Sequence, residues 1–135
     1  IDMIISGGVN IYPAEIEAAL VAHPLVADAA VFGIPDERLG EMLVCVVRAK
    51  GATEDGVIRW VAERLAKYKA PGHVAFLDET LPRNHVGKVD KIALRARWKL
   101  LGAHALGKGV LILTGHFGNF EVSTSAGSRS SVGTP

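Results

Sequence analysis

The sequence has one cysteine, Cys45, in 135 residues, so an internal disulfide is excluded. The flanking run Leu43, Val44, Val46, Val47 is apolar, which points to a buried thiol in a strand and to a reducing, cytoplasmic setting. No apolar run approaches the roughly 20 residues that cross a bilayer, so no transmembrane segment is expected. Neither sign of charge dominates: 15 Lys and Arg nearly cancel 14 Asp and Glu, whereas a nucleic-acid binder carries a clear basic excess. The chain starts at Ile1, with no basic stretch leading into an apolar run and a cleavage site. The start therefore reads as an internal cut and not a signal peptide. The length suits one ordinary domain, or a small domain plus a piece of another, so an enzyme needing a large substrate pocket is not expected to be complete here. The apolar share, 49%, is high for such a chain and fits a domain with an exposed docking face.

What is present divides near Leu100. Met3 to Ser6 is a short apolar strand leading into Gly7-Gly8, where missing β-carbons let the backbone turn tightly or approach a ligand. Pro13 opens a helix with Glu15 and Glu17 near its positive end and Ile16, Ala19 and Leu20 on one face, before Pro24 stops it. Val26 to Phe32 reads as a strand, Gly33 to Asp36 as a turn, and Glu41 to Arg48 as a second, antiparallel strand. Thr53 caps a helix with Val57, Trp60, Val61 and Leu65 at helical spacing and Glu63 and Arg64 on the wet side. His73 to Leu77 is another strand, Leu81 to Gly87 a turn-forming loop, and Asp90 the cap of a third helix holding Ile92, Leu94 and Trp98. The order β-α-β-β-α-β-α predicts an α+β fold: a small two-layer domain over 1–100, with a mostly antiparallel sheet and about three helices. A short incomplete segment, 101–135, follows. Within it Val110 to Leu113 reads as a strand, and the Ser-, Gly- and Thr-rich stretch after 122 as disordered.

Two motifs carry the chemistry: IISGGVNIYPAEIE near the start and LPRNHVGKVDK, which places Lys88 on a loop just after Gly87. In this order, with PDERLGE between them, they resemble the C-terminal domain of the adenylate-forming acyl-CoA synthetases. The resemblance implies a mobile lid of a larger ligase. In such an enzyme a carboxylate attacks ATP to give an acyl-adenylate and pyrophosphate, and the thiol of coenzyme A then displaces AMP. It implies that Lys88 reaches into the adenylation site and balances charge on the carboxylate and α-phosphate, a role suited to a point charge on a long stem. The plain alternative is an exposed loop lysine. In the second, rotated state Gly7 and Gly8 would line the pantetheine channel, a role compatible with an ordinary turn. Lys69 is a candidate contact for the coenzyme A nucleotide, although the basic residue that some relatives place near Ala70 is missing. Ile1 stands where the family's hinge has Asp or Lys, and Lys91 reads as a solvated helix residue. The implied partners are the N-terminal adenylation domain, a carboxylic acid, ATP and coenzyme A, with Mg2+ accompanying ATP and held mainly outside this chain. A non-catalytic docking module that keeps the lid fold is the bland alternative.

The tail segment GKGVLILTGHFGNFE resembles the bacterial lipid A and lysophospholipid acyltransferases, whose His-x4-acid motif His116 and Glu121 fit. There the histidine takes a proton from an acceptor hydroxyl while the acid orients the ring. This tail reads as an incomplete acyltransferase from a fusion or a truncated gene, inactive alone. Gly102 to Gly109 nearly spells a phosphate loop, but Gly109 replaces the hydroxyl residue that would hold magnesium, so that motif is rejected.

Overall fold

The computed structural model describes residues 2–105, 110–113 and 120–123, with side chains over 2–100. The apolar run around Cys45 forms the middle of strand β4 (Gly40–Ala49), paired antiparallel with β3 (Val26–Asp36) and parallel with β5 (His73–Leu77). Strand β6 (Val110–Leu113) lies parallel to β5, and β7 (Phe120–Ser123) antiparallel to β6, giving the order β3-β4-β5-β6-β7. A separate hairpin joins β1 (Ile4–Ser6) to β2 (Val9–Ile11). Three of the five described strand pairings are antiparallel.

Strand side chains alternate between faces, so an unbroken apolar run is stable only where both faces are covered. That condition is met. On one face Leu43, Cys45 and Val47 pack with Ile4 and Ile11 of the hairpin, Ile16 and Leu20 of α1 (Pro13–Val21), and Val57 and Val61 of α2 (Glu54–Arg64). On the other, Val44 and Val46 pack with Phe32, Ala75 and Leu77 beneath Leu94 and Trp98 of α3 (Lys91–Ala105). Phe32 and Trp98 meet edge to face with centroids 6.0 Å apart. Cys45 is fully buried, and this burial pushes its thiol pKa well above the ordinary value.

Local chemistry explains the helix starts. Pro13 sits at the first helical position of α1, where its missing N–H costs nothing. The Thr53 hydroxyl accepts the Gly56 N–H at 3.0 Å, and the Asp90 carboxylate accepts the Ala93 N–H at 3.0 Å. Buried Glu54 accepts the Val74 N–H at 3.0 Å, fastening the first turn of α2 to β5.

The structure departs from the sequence reading at four places. The turn expected at Gly33 to Asp36 is strand: Gly33, Ile34 and Pro35 pair with Leu43, Met42 and Glu41, and the chain reverses after Asp36, whose carboxylate accepts the Arg38 and Leu39 N–H groups. Pro35 is tolerated because β3 lies at the sheet edge. Strand β2, three residues long, was not foreseen. Ile92 is 79% exposed, off the apolar face of α3 that Leu94 and Trp98 share. The helix runs on through Gly102 to Ala105, past the boundary expected at Leu100.

Leu94→Ala should therefore cost about 2–5 kcal/mol through lost contacts and a residual cavity. Ile92→Ala, two residues away, should change stability by no more than about 0.5 kcal/mol. Urea denaturation of both variants checks the contrast.

Candidate functional site

Lys88 lies on the connection from β5 to α3. Leu81, 1% exposed, anchors this segment in the core, and beyond it residues 83–88 are exposed. Arg83 and Val89 form an isolated antiparallel bridge. The Asn84 N–H donates to the Lys88 carbonyl at 2.8 Å, and the Gly87 N–H to the Asn84 carbonyl at 3.0 Å. The Asn84 side-chain oxygen accepts the N–H groups of Val86 and Lys88 at 3.0 and 3.1 Å. Gly87 has φ +87°, a conformation a β-carbon would strain. Within the same segment, Arg83 donates to Asp28 of β3 at 2.7 Å and to the Gly87 carbonyl at 3.3 Å. The backbone beneath Lys88 is thus held at several points. Its ammonium is exposed and has no ion-pair partner among the described residues. A fixed base under an uncommitted cation suits a group that must reach an anion supplied from elsewhere.

The loop passes directly into α3 through Asp90, whose N–H donates to the Pro82 carbonyl at 2.8 Å. Lys91 follows, and it is not the solvated residue expected. Its Nζ lies 2.6 Å from Asp2 Oδ2 and 2.9 Å from Glu17 Oε2, and its side chain is only 20% exposed. Glu17 Oε2 also accepts the Val31 N–H at 2.9 Å. Asp2, Glu17, Arg83, Lys88 and Lys91 line one open cleft.

The hairpin tip is a separate feature. Gly7 (φ +57°) and Gly8 (φ +80°) form a two-residue turn between paired Ser6 and Val9, the geometry that demands left-handed backbone at both positions. The Gly7 N–H donates to the Leu39 carbonyl at 2.9 Å, and the Ile5 N–H to the Glu41 carboxylate at 2.9 Å, so the hairpin is fastened to the β3–β4 turn. Gly33 permits this close approach: a β-carbon there would lie 2.7 Å from Glu41 Oε2 and 3.1 Å from Ile4 Cγ2. Lys69, on a single 3-10 turn (Lys67–Lys69), is paired with Glu15 at 2.7 Å, and the hydrogen bond to that carboxylate raises its pKa above the ordinary lysine value.

Gly7, Gly8 and Lys69 do not share the cleft that Lys88 lines. His116 lies outside the described residues; Glu121 is on β7, opposite Ile112. Sequence reasoning missed Arg83, Asn84, Asp28 and the Asp2–Lys91–Glu17 cluster. The Asx-type turn at Asn84 has a local signal, an Asn followed by Gly three residues on. A contact across 89 residues, as between Asp2 and Lys91, has none.

The model of the AMP-binding enzyme C-terminal domain matches residues 15–88, more than half of the chain. The chain belongs to this family. The chain is 52% identical over 101 positions to a methyl-dioxo-octahydroindenyl-propanoyl:CoA ligase of Rhodococcus jostii, covering 73% of this chain and 19% of the relative. It is 44% identical over 99 positions to the long-chain-fatty-acid–CoA ligase FadD13 of Mycobacterium tuberculosis, covering 72% of this chain and 20% of the relative. Among solved structures, apo MatB from Rhodopseudomonas palustris superposes with TM-score 0.69 at 41% identity, over 74% of this chain and 20% of that one. The chain spans about one fifth of the length of these relatives.

Two outcomes follow for this C-terminal domain. Asn84→Ala removes the acceptor for two loop amides, each bond contributing about 0.5–1.5 kcal/mol, so amide exchange at Val86 and Lys88 should quicken up to about tenfold while α1 is unaffected. Hydrogen-exchange NMR reads both. Glu15→Gln should bring the Lys69 pKa down toward the ordinary lysine value, as followed by side-chain NMR titration.

Proposed function

We propose that this chain is the C-terminal lid of an ATP-dependent carboxylate–CoA ligase, in which Lys88 serves adenylation and Gly7-Gly8 serves thioester formation. Family membership supports the reading, and the observation that carries it is the loop: a tightly bonded backbone presenting an unpaired ammonium outward. Charge grows on the carboxylate and α-phosphate as acid attacks ATP, and a preorganised cation facing that charge lowers the barrier without reorganising. The donating partner is an N-terminal adenylation domain, with a carboxylic acid, ATP and coenzyme A as substrates. Mg2+ arrives with ATP and is held mainly outside this chain. Among the described residues no group of three His, Cys, Asp or Glu is placed to hold a metal.

At the hairpin tip nothing lies within 4 Å of a β-carbon built on Gly8, so space remains for a thin chain to pass. That openness supports the pantetheine channel alongside the turn's structural role. The setting we propose is cytoplasmic, consistent with the buried, protonated Cys45 thiol; among the described residues no helix is long and apolar enough to cross a membrane.

Lys88→Ala in the complete ligase should slow pyrophosphate release about 10²–10³-fold, the usual cost of losing one electrostatic stabiliser. Thioester formation from supplied acyl-adenylate should stay near wild type. Adenylation at the wild-type rate in this variant would refute the assignment and leave a docking role.

A further inference from the structure

We propose that Lys91 is a positioning residue for adenylation, resting on the ligase reading above: together with Asp2 and Glu17 it fixes the base of the Lys88 loop against the rest of the lid. Lys91 stands three residues after Lys88, in the first turn of α3. Its ammonium reaches two carboxylates from different parts of the chain, Asp2 just before β1 at 2.6 Å and Glu17 of α1 at 2.9 Å. Glu17 is itself held by the Val31 N–H, so this arm ends on the rigid sheet. Only one residue, capping Asp90, separates Val89 of the loop from Lys91. Movement of the α3 start is therefore transmitted directly to the loop.

The hairpin has anchors of its own, the Leu39 carbonyl and the Glu41 carboxylate, and neither involves Lys91. Loss of the clamp should therefore fall on the Lys88-dependent step and spare the step assigned to Gly7-Gly8. At 20% side-chain exposure the lysine is partly shielded, and both carboxylates are partly solvated, at 47% and 26%. Such a pair contributes little to global stability, so its value lies in geometry. Misplacing a reacting group by about 1 Å costs on the order of 10²-fold in rate.

The test uses the complete ligase and measures both half-reactions separately. Lys91→Met should slow pyrophosphate release about 10- to 100-fold and leave thioester formation from supplied acyl-adenylate within about twofold of wild type. Lys91→Arg, which keeps the charge and can span both acids, should restore most of the rate. Asp2→Asn, which removes one arm at an exposed position, should give a smaller loss in the same half-reaction; it decides the matter if Lys91→Met fails to fold. Equal losses in both half-reactions, accompanied by a drop in melting temperature, would show a merely structural role and overturn the proposal. So would a wild-type adenylation rate in both Lys91→Met and Asp2→Asn, provided Lys88→Ala is impaired. If Lys88→Ala is unimpaired, the ligase reading itself has failed, and the two failures are thereby told apart.

Discussion

Burial of β4 on both faces is the constraint from which the rest of the structure follows. Leu43 to Val47 are each at most 4% exposed, and this requires covering elements above and below. One face is closed by the hairpin, α1 and α2, the other by α3. A chain that places β5 parallel to β4 must cross over between them, and α2 is that crossover. To reach the opposite face after β5, the chain must then pass round the sheet, and the segment carrying Lys88 is the passage. The exposed position of that lysine is a topological consequence of closing the core.

The loop and the hairpin solve opposite mechanical problems with the same means. Each presents a tip on a base fastened to β3 or the β3–β4 turn: Arg83 reaches Asp28, and Gly7 and Ile5 reach Leu39 and Glu41. At the loop the tip is a long cationic side chain whose reach does not depend on backbone motion. At the hairpin the tip has no side chain at all, and positive φ at both glycines makes this a backbone requirement as much as a spatial one. Under the proposed function, rigid bases would let the lid move as one body while both tips keep their geometry, as two alternating sites on one small domain would require.

Legibility in the sequence followed the range of the interaction involved. Helices α1 and α2 and the Asp90 cap rest on contacts within a turn or two, and strands β4 and β5 are apolar runs continuous in the sequence, so their periodicity, composition and capping residues stood in plain view. The Gly33–Asp36 segment misled because Gly and Pro signal turns locally, while the close packing of Ile4 on Gly33 and the edge position of Pro35 are tertiary facts. Ile92 misled because its spacing from Leu94, two residues, belongs to opposite sides of a helix despite its apolar character. The α+β class survived these errors because the alternation of strands and helices depends on many residues and not on any one of them. The candidate site was legible where a motif carried it, at Lys88 and Gly7-Gly8, and silent where ion pairs assemble from distant segments, as at Lys91.

That silence bears on how lysines are told apart. Lys69, Lys88 and Lys91 all lie at or near helix boundaries. Two of them are neutralised in the fold, Lys69 by Glu15 and Lys91 by Asp2 and Glu17, at separations of 54 and 89 residues for the Glu15 and Asp2 pairs. A cation already paired offers little attraction to an incoming phosphate or carboxylate, because its field is largely spent and breaking the pair carries its own cost. Lys88 differs in being held only through its backbone. Of these three lysines, Lys88 alone has no ion-pair partner among the described residues, which supports the role proposed for it.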